Sequence, residues 1–240
     1  APQDPIVYHK DLRPLEYVVG DAVGRLGAPI YPMFEIEDKL QDYTTPDGVV
    51  MSGHFTGPPP DDGTSGFEWG GEWTVTYETF RDMGIAFGVA LVLIYMLVVG
   101  EFGNFVTPAV IMAPIPLTLL GIVPGHWLMG AEFTATSMIG FIALAGIIVR
   151  NSILLVDFSI TEVAQGVDVK EAVIRACKAR TRPIVITAFA LVAGSSVILT
   201  DPIFQGMAIS LLFGVMVSTL LTLVVIPLGC VSAGNYLRRH

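Results

Sequence analysis

From Gly84 to the C-terminus the chain is dominated by five apolar runs, at about 84–99, 107–123, 134–156, 183–200 and 206–231. A helix rises about 1.5 Å per residue, so about 20 apolar residues cover the roughly 30 Å of hydrocarbon in a bilayer. The third and fifth runs are long enough alone, and the others borrow flanking residues such as Asp82 and Met83. The second holds Pro108, Pro114, Pro116 and Pro124. Pro108 suits a helix start, and the interior prolines predict a kink that only a membrane bundle tolerates, where neighbours satisfy the freed carbonyls. The fold class expected is a membrane all-α bundle of five transmembrane helices.

The charge separates along the chain. Residues 1–83 hold 15 acidic and 5 basic side chains, whereas 84–240 hold 7 and 8. Only 15 % of all residues are charged, against about 25 % in a soluble domain. This predicts a small acidic α+β extramembrane segment, residues 1–80, followed by a membrane domain over 81–231 and a tail over 232–240. Strands are expected at Ile6–Tyr8 and Tyr17–Val19, a loop through Gly57–Gly63, and either a last strand or an interfacial segment at Trp73–Tyr77. The first 80 residues are too turn-rich to bury a large core alone, so they read as the remnant of a bigger domain, and the chain as the C-terminal part of a longer polypeptide.

Basic residues in short connections set orientation. Lys170, Arg175, Lys178, Arg180 and Arg182 lie between the third and fourth runs, and Arg238 and Arg239 at the C-terminus, while 124–133 and 201–205 carry none. The 157–182 loop and the C-terminus are therefore expected in the cytoplasm, with residues 1–80 outside. Trp127, Phe133 and Phe204 form an outer aromatic belt. Asp168 and Glu171 resemble a capping box that starts a separate amphipathic helix near 168–180, lying on the inner surface, with Pro183 opening the next helix.

Arg150 stands out within Ala145–Asp157. A charge inside a bilayer costs several kcal/mol, so it either snorkels to the surface or faces the bundle interior, partnered by an acid outside this chain. Thr187, four residues after Pro183, reaches a similar depth, and Asn151 and Ser152 add polar groups beside Arg150. Gly206, Ser210, Gly214 and Ser218 recur every four residues, and Gly140, Ala143 and Gly146 every three, both patterns suited to close helix packing. Cys177 and Cys230 form no disulfide or zinc pattern, and no basic stripe offers itself to nucleic acid. His126 reads as an outer-loop residue near headgroups. Phosphate-loop, nucleophile-elbow, metalloprotease and dinucleotide motifs are missing, which excludes the common enzymes and leaves an ion gradient or a partner as the energy source.

Pro114–His126, Phe133–Asp157 and Ala179–Thr187 resemble the resistance-nodulation-division (RND) transporters, in particular the hydrophobe/amphiphile, acriflavin-resistance branch. The resemblance is strong over 73–235 and weak before. It implies a proton-driven antiporter of the bacterial inner membrane that works without a bound cofactor. It also implies a homotrimer, with a periplasmic adaptor, an outer-membrane channel, the lipid bilayer and small hydrophobic or amphiphilic substrates as partners. The five runs correspond to helices eight to twelve, and residues 1–72 to the end of the porter domain. The family's relay lysine falls on Arg150, its relay threonine on Thr187 and its cytoplasmic-end arginine on Arg180, with Asn151 beside the relay. The acidic pair of the fourth helix lies outside this chain. Rivals are a scaffold or lipid-handling relative, and a metal-exporting branch, although Met112, Met129 and Met138 form no regular ladder.

The orientation is tested by thiol labelling. In intact spheroplasts Cys177 is expected to resist a membrane-impermeant maleimide and to react only once the cytoplasmic face is opened. Ready labelling from outside would reverse the assignment.

Overall fold

Five helical spans account for the second half of the chain, and each is longer than its apolar run. The structure, a computed structural model, describes residues 6–21, 23, 30–40, 43–51, 53–60 and 65–234. The chain divides into two compact units, 1–77 and 78–240.

In the first unit, β1 (Tyr8–Lys10) and β2 (Arg13–Leu15) pair antiparallel. The turn between them places Asp11 and Leu12 at φ 54° and 65°, left-handed positions that a hairpin's two-residue turn requires. The second expected strand, Tyr17–Val19, is irregular instead. Tyr17 sets its ring edge-on to Tyr8 at 5.2 Å, and among the described residues no strand pairs with its backbone. After α1 (Ile30–Leu40), β3 (Gly53–His54) and β4 (Phe67–Glu68) pair in parallel. Glu37 of α1 ties these pieces together: its Oε1 accepts from the Gly53 N–H at 2.7 Å and from Trp69 Nε1 at 2.9 Å. Trp73–Tyr77 is helical, the opening of α2 (Glu72–Phe102).

In the second unit the proline-rich span breaks into α3 (Val106–Met112), α4 (Pro114–Leu117) and α5 (Leu119–Met129). Gly103, at φ 62°, turns the chain out of α2, and Asn104 Oδ1 accepts from the Thr107 N–H at 2.7 Å, with Pro108 in the first turn as expected. Pro114 and Pro116 each remove a backbone donor, which interrupts the ladder. Buried Thr118 repairs part of the loss by donating its hydroxyl to the Ile115 carbonyl at 2.7 Å.

The remaining helices, α6 (Ala135–Ala164), α7 (Val169–Ile198) and α8 (Gln205–Ser232), are 28 to 30 residues long, about 42–45 Å each at 1.5 Å per residue. The separate surface helix expected at 168–180 is the first half of α7, and Pro183 lies inside that helix rather than opening a new one. Asp168 caps it through the Lys170 N–H at 3.3 Å. Ala172, Val173 and Ala176 are buried, Cys177 is half-buried, and Arg175 reaches Glu171 and, across the turn, Glu162 of α6. That contact makes the segment an extension of the bundle.

The core gathers Ile111, Ile115, Ile122, Leu144, Ile148, Leu155, Val173, Val215 and Ile226, all close to fully buried. α8 packs against α5, α6 and α7 and so lies at the centre. α2 is different. It joins the core through residues such as Phe87, whose ring meets Phe141 at 5.2 Å, and otherwise shows an apolar, largely uncovered surface.

In the first unit, hydrogen bonds from Thr45 and from the Ser65 backbone N–H hold the Asp47 carboxyl down at about 2. A depressed carboxylate contributes stability above its unfolded value near 3.9 and loses it as pH falls toward about 2. The protection of the amides across 43–51, relative to their intrinsic exchange rates, is therefore expected to fall over that window, and Asp47→Asn to remove that fall.

Candidate functional site

The polar residues of the membrane unit meet where α6, α7 and α8 converge. Asn151 of α6, Thr187 of α7 and Ser218, Thr219 and Thr222 of α8 line one narrow cleft of about 10 Å³, room for about one water. The rest of its wall is apolar, including Ile148, Ile184 and Val215. Thr187 donates its hydroxyl to the Pro183 carbonyl at 2.9 Å, so its oxygen keeps only acceptor capacity toward the cleft. Ser218 and Thr219 both donate to the Val215 carbonyl, at 3.0 and 2.7 Å. With these three donors committed to backbone, the Asn151 amide and the Thr222 hydroxyl are the donors on the cleft wall.

Arg150 is exposed and sits beside this cleft rather than in it. α6 continues past Asp157 to Ala164, which places Arg150 at the helix midpoint, about 21 Å from either end. The residues from Asp157 to Ala164 include Asp157, Thr161 and Glu162, so the apolar part of α6 ends about 10 Å from Arg150. No acidic side chain pairs with Arg150 among the described residues. Arg180, two turns before Thr187 on α7, is half-buried. Its guanidinium carbon stands 5.7 Å from the Phe158 ring centroid, a cation–π distance, and its Nε is buried without a hydrogen-bond acceptor. The buried Ser152 hydroxyl also lacks a partner.

The two small-residue patterns fare differently. On α8, Gly206, Ser210, Gly214 and Ser218 are all buried, and the buried stripe continues every fourth residue through Thr222, Ile226 and Cys230. A Cβ on Gly214 would collide with Leu144 and crowd Ile122. On α6 only Gly140 makes such an approach, its would-be Cβ lying 2.8 Å from Ser210 Cβ and 2.9 Å from the Met207 carbonyl oxygen. Ala143 is exposed, and nothing stands within 4 Å of a Cβ on Gly146. A step of three drifts around a 3.6-residue helix, so these residues leave the contact face that Leu144, Ala145 and Ile148 occupy. His126, expected in an outer loop, is instead inside α5 and buried, with Nε2 2.8 Å from Ser137 Oγ. The Thr219 hydroxyl is the cleft residue that the sequence pattern does not single out. The same four-residue step that marks α8 for packing also carries Ser218 and Thr222 to the cleft.

Residues 62–231 match the model of the AcrB/AcrD/AcrF family. The chain belongs to that family of RND transporters. It is 32 % identical over 158 residues to the swarming motility protein SwrC of Bacillus subtilis (strain 168), which covers 63 % of this chain and 15 % of SwrC. It is 29 % identical over 159 residues to the multidrug resistance protein MdtC of Serratia proteamaculans (strain 568), covering 64 % of this chain and 16 % of MdtC. A crystal structure of a heavy metal efflux pump superposes with a TM-score of 0.59 at 29 % identity, over 70 % of this chain and 16 % of the pump. The chain thus spans about one sixth of the length of these relatives. Family membership and five helices long and apolar enough to span a bilayer make it part of a multi-pass membrane protein.

Gly214→Leu is expected to destabilise the α5–α6–α8 packing by about 1–3 kcal/mol, because the extra atoms enter a filled contact. Detergent thermal-shift measurements on the polypeptide that contains this chain read the loss. An unchanged melting temperature would show that α8 can move away from Leu144 at no cost.

Proposed function

We propose that the chain is the C-terminal helical part of a proton-driven RND exporter in a bacterial inner membrane, acting on small hydrophobic or amphiphilic compounds. The observation that carries this reading is the placement of Arg150. A permanently charged guanidinium within the apolar part of α6, exposed and without an acidic partner among the described residues, is costly in a bilayer unless another part of the protein supplies a carboxylate. An acid paired with Arg150 when ionised loses that attraction when protonated. The arginine is then free to turn toward the Asn151–Thr187 cleft, which gives the bundle two arrangements that a proton biases. An opposite charge within about 4–6 Å lowers a carboxyl pKa by about 1–3 units, at about 1.4 kcal/mol per unit. Arginine itself does not release the proton; it reports the state of the acid. Arg180, stacked on Phe158, fits a role at the cytoplasmic end of the same path.

On this reading the protein is a homotrimer that works with a periplasmic adaptor and an outer-membrane channel, with residues 1–80 outside and the C-terminus in the cytoplasm. Metal export is a second reading, favoured by the fold similarity to a heavy metal efflux pump.

The test uses the polypeptide that contains this chain, with membrane levels matched. Arg150→Met is expected to abolish resistance to hydrophobic drugs while expression and assembly persist. Arg150→Lys keeps the charge and partial activity, and Thr187→Val reduces export several-fold less than Arg150→Met. Near-normal drug export by Arg150→Met would sink the coupling role. Resistance confined to metal salts in the unmodified protein would favour the second reading.

A further inference from the structure

His126 is the one histidine buried in the membrane unit among the described residues, at 4 % exposure, and nothing in the coupling reading uses it. Two elements fix its ring. Nδ1 lies 2.9 Å from the Ile122 carbonyl oxygen, which can only accept, so Nδ1 carries a hydrogen. Nε2 faces Ser137 Oγ of α6 at 2.8 Å. Ser137, itself fully buried, also accepts from the Thr134 N–H at 3.1 Å and stands 3.3 Å from Thr134 Oγ1. Thr134 Oγ1 lies 2.8 Å from Thr136 Oγ1, and Thr136 donates to the Ile203 carbonyl in the α7–α8 connection at 3.2 Å. A continuous row of three hydroxyls therefore runs from the imidazole of α5 to the far side of the bundle end. It opens on a cleft of about 400 Å³ lined by residues including Thr134, Thr136, Glu132 and Gly206.

This row accommodates either state of the ring. With Nε2 bare, Ser137 donates to it. With Nε2 protonated, Ser137 accepts from it and from the Thr134 N–H, and turns its own hydrogen to Thr134. Thr134 then donates to Thr136, and Thr136 to Ile203. Every donor and acceptor is satisfied both ways by hydroxyl rotation alone, which is what a buried group needs if it is to change charge without unfolding its surroundings.

We propose that His126 is a proton-binding site at the end of the bundle formed by the α5–α6 and α7–α8 connections, loaded from the adjoining cleft through Thr134 and Ser137. A hydronium ion in the cleft gives its proton to Thr134, Thr134 passes its own hydrogen to Ser137, and Ser137 passes its own to Nε2. One O–H bond of the hydronium breaks, one N–H bond forms, and each hydroxyl ends with one hydrogen. The loaded state points all three hydroxyls toward Ile203, so it ties α5 and α6 to the α7–α8 connection. The groups around the ring place no like charge against it. α6 contributes Ser137, Phe133 (ring centroid 5.3 Å away) precedes it, and α8 lays the apolar Phe213 and Val217 on the glycines of α5. The ionisable residues of the surrounding elements are Glu132, lining the cleft, Asp201, whose carboxylate accepts from the Ile203 and Phe204 N–H groups, and the Arg81–Asp82 ion pair of α2, next to Phe80, whose ring meets Phe133 at 6.2 Å. None of them forms an ion pair with His126 among the described residues.

The test is ring-¹⁵N histidine solid-state NMR of the polypeptide that contains this chain, in liposomes, at pH 8 and pH 5, the range in which histidine changes charge. The His126 signal is assigned by its loss in His126→Gln or, should that variant fail to fold, by its dipolar contact with labelled serine at Ser137. The expected result is a protonated Nδ1 at both pH values and an Nε2 that gains its proton at pH 5. In Ser137→Ala the doubly protonated fraction at pH 5 should fall at least about twofold, because the buried Nε2–H has lost its acceptor. An Nε2 in the same state at both pH values, or a Ser137→Ala ring that loads like the unmodified one, would overturn the proposal. The readout is independent of export, so His126 loads or fails to load whatever the Arg150 variants show.

Discussion

Everything in the membrane unit depends on how closely α8 lets its neighbours approach. Lipid tails are as apolar as leucine, so helices in a bilayer gain little from hiding hydrocarbon and must gain from contact density instead. The stripe Gly206, Ser210, Gly214, Ser218 and Thr222 removes bulk every four residues, and α5, α6 and α7 all close on it. Leu144 and Ile122 fill the space Gly214 leaves, and Ser137 and Thr134 occupy the space at Gly206. The same absence of bulk that permits packing brings polar side chains of α6, α7 and α8 to one cleft. Packing and the candidate coupling site are two results of one four-residue step.

The bundle was legible where the physics is one-dimensional. Apolar length against bilayer thickness is a property of the chain alone, and it gave five spans. Their ends were less visible, because helices extend beyond the hydrocarbon into segments such as Glu72–Tyr77 and Asp157–Ala164 whose composition is polar. Pro183 misled for a related reason. Proline usually marks a helix start, but in α7 the lost hydrogen bond is a small defect in a helix held on both sides of it, by Ala172, Val173 and Ala176 before and by Ile184 after. The residues spaced by three on α6 turn around the helix, so Gly140 meets α8 while Gly146 faces away, whereas the residues spaced by four on α8 stay on one buried stripe.

The site was legible in its charges and illegible in its hydroxyls. Arg150 is conspicuous in any apolar run, whereas Ser218, Thr219 and Thr222 are common residues whose meaning comes from what they face. His126 is the clearest case. In the sequence it follows Pro124-Gly125 and precedes Trp127, a loop-like context, yet α5 runs on through Pro124 to Met129. Gly121 and Gly125 let Val217 and Phe213 press against that helix, and this contact draws the imidazole inside. Burial of a polar side chain by glycines on its own helix is a three-dimensional event that no local pattern records.

The continuity of α7 turns a boundary into a mechanical element. Because Val169 to Ile198 is one helix, the basic residues Lys170, Arg175, Lys178 and Arg182 sit on the same stiff rod as Thr187 and Ser195. A rod about 45 Å long cannot be tilted at one end without displacing the other. On its N-terminal half Arg175 meets Glu162 of α6 at 3.3 Å, and on its other half Thr187 lines the cleft. The basic half of α7 and its cleft-lining residue Thr187 are thus parts of one helix, with Pro183 between them.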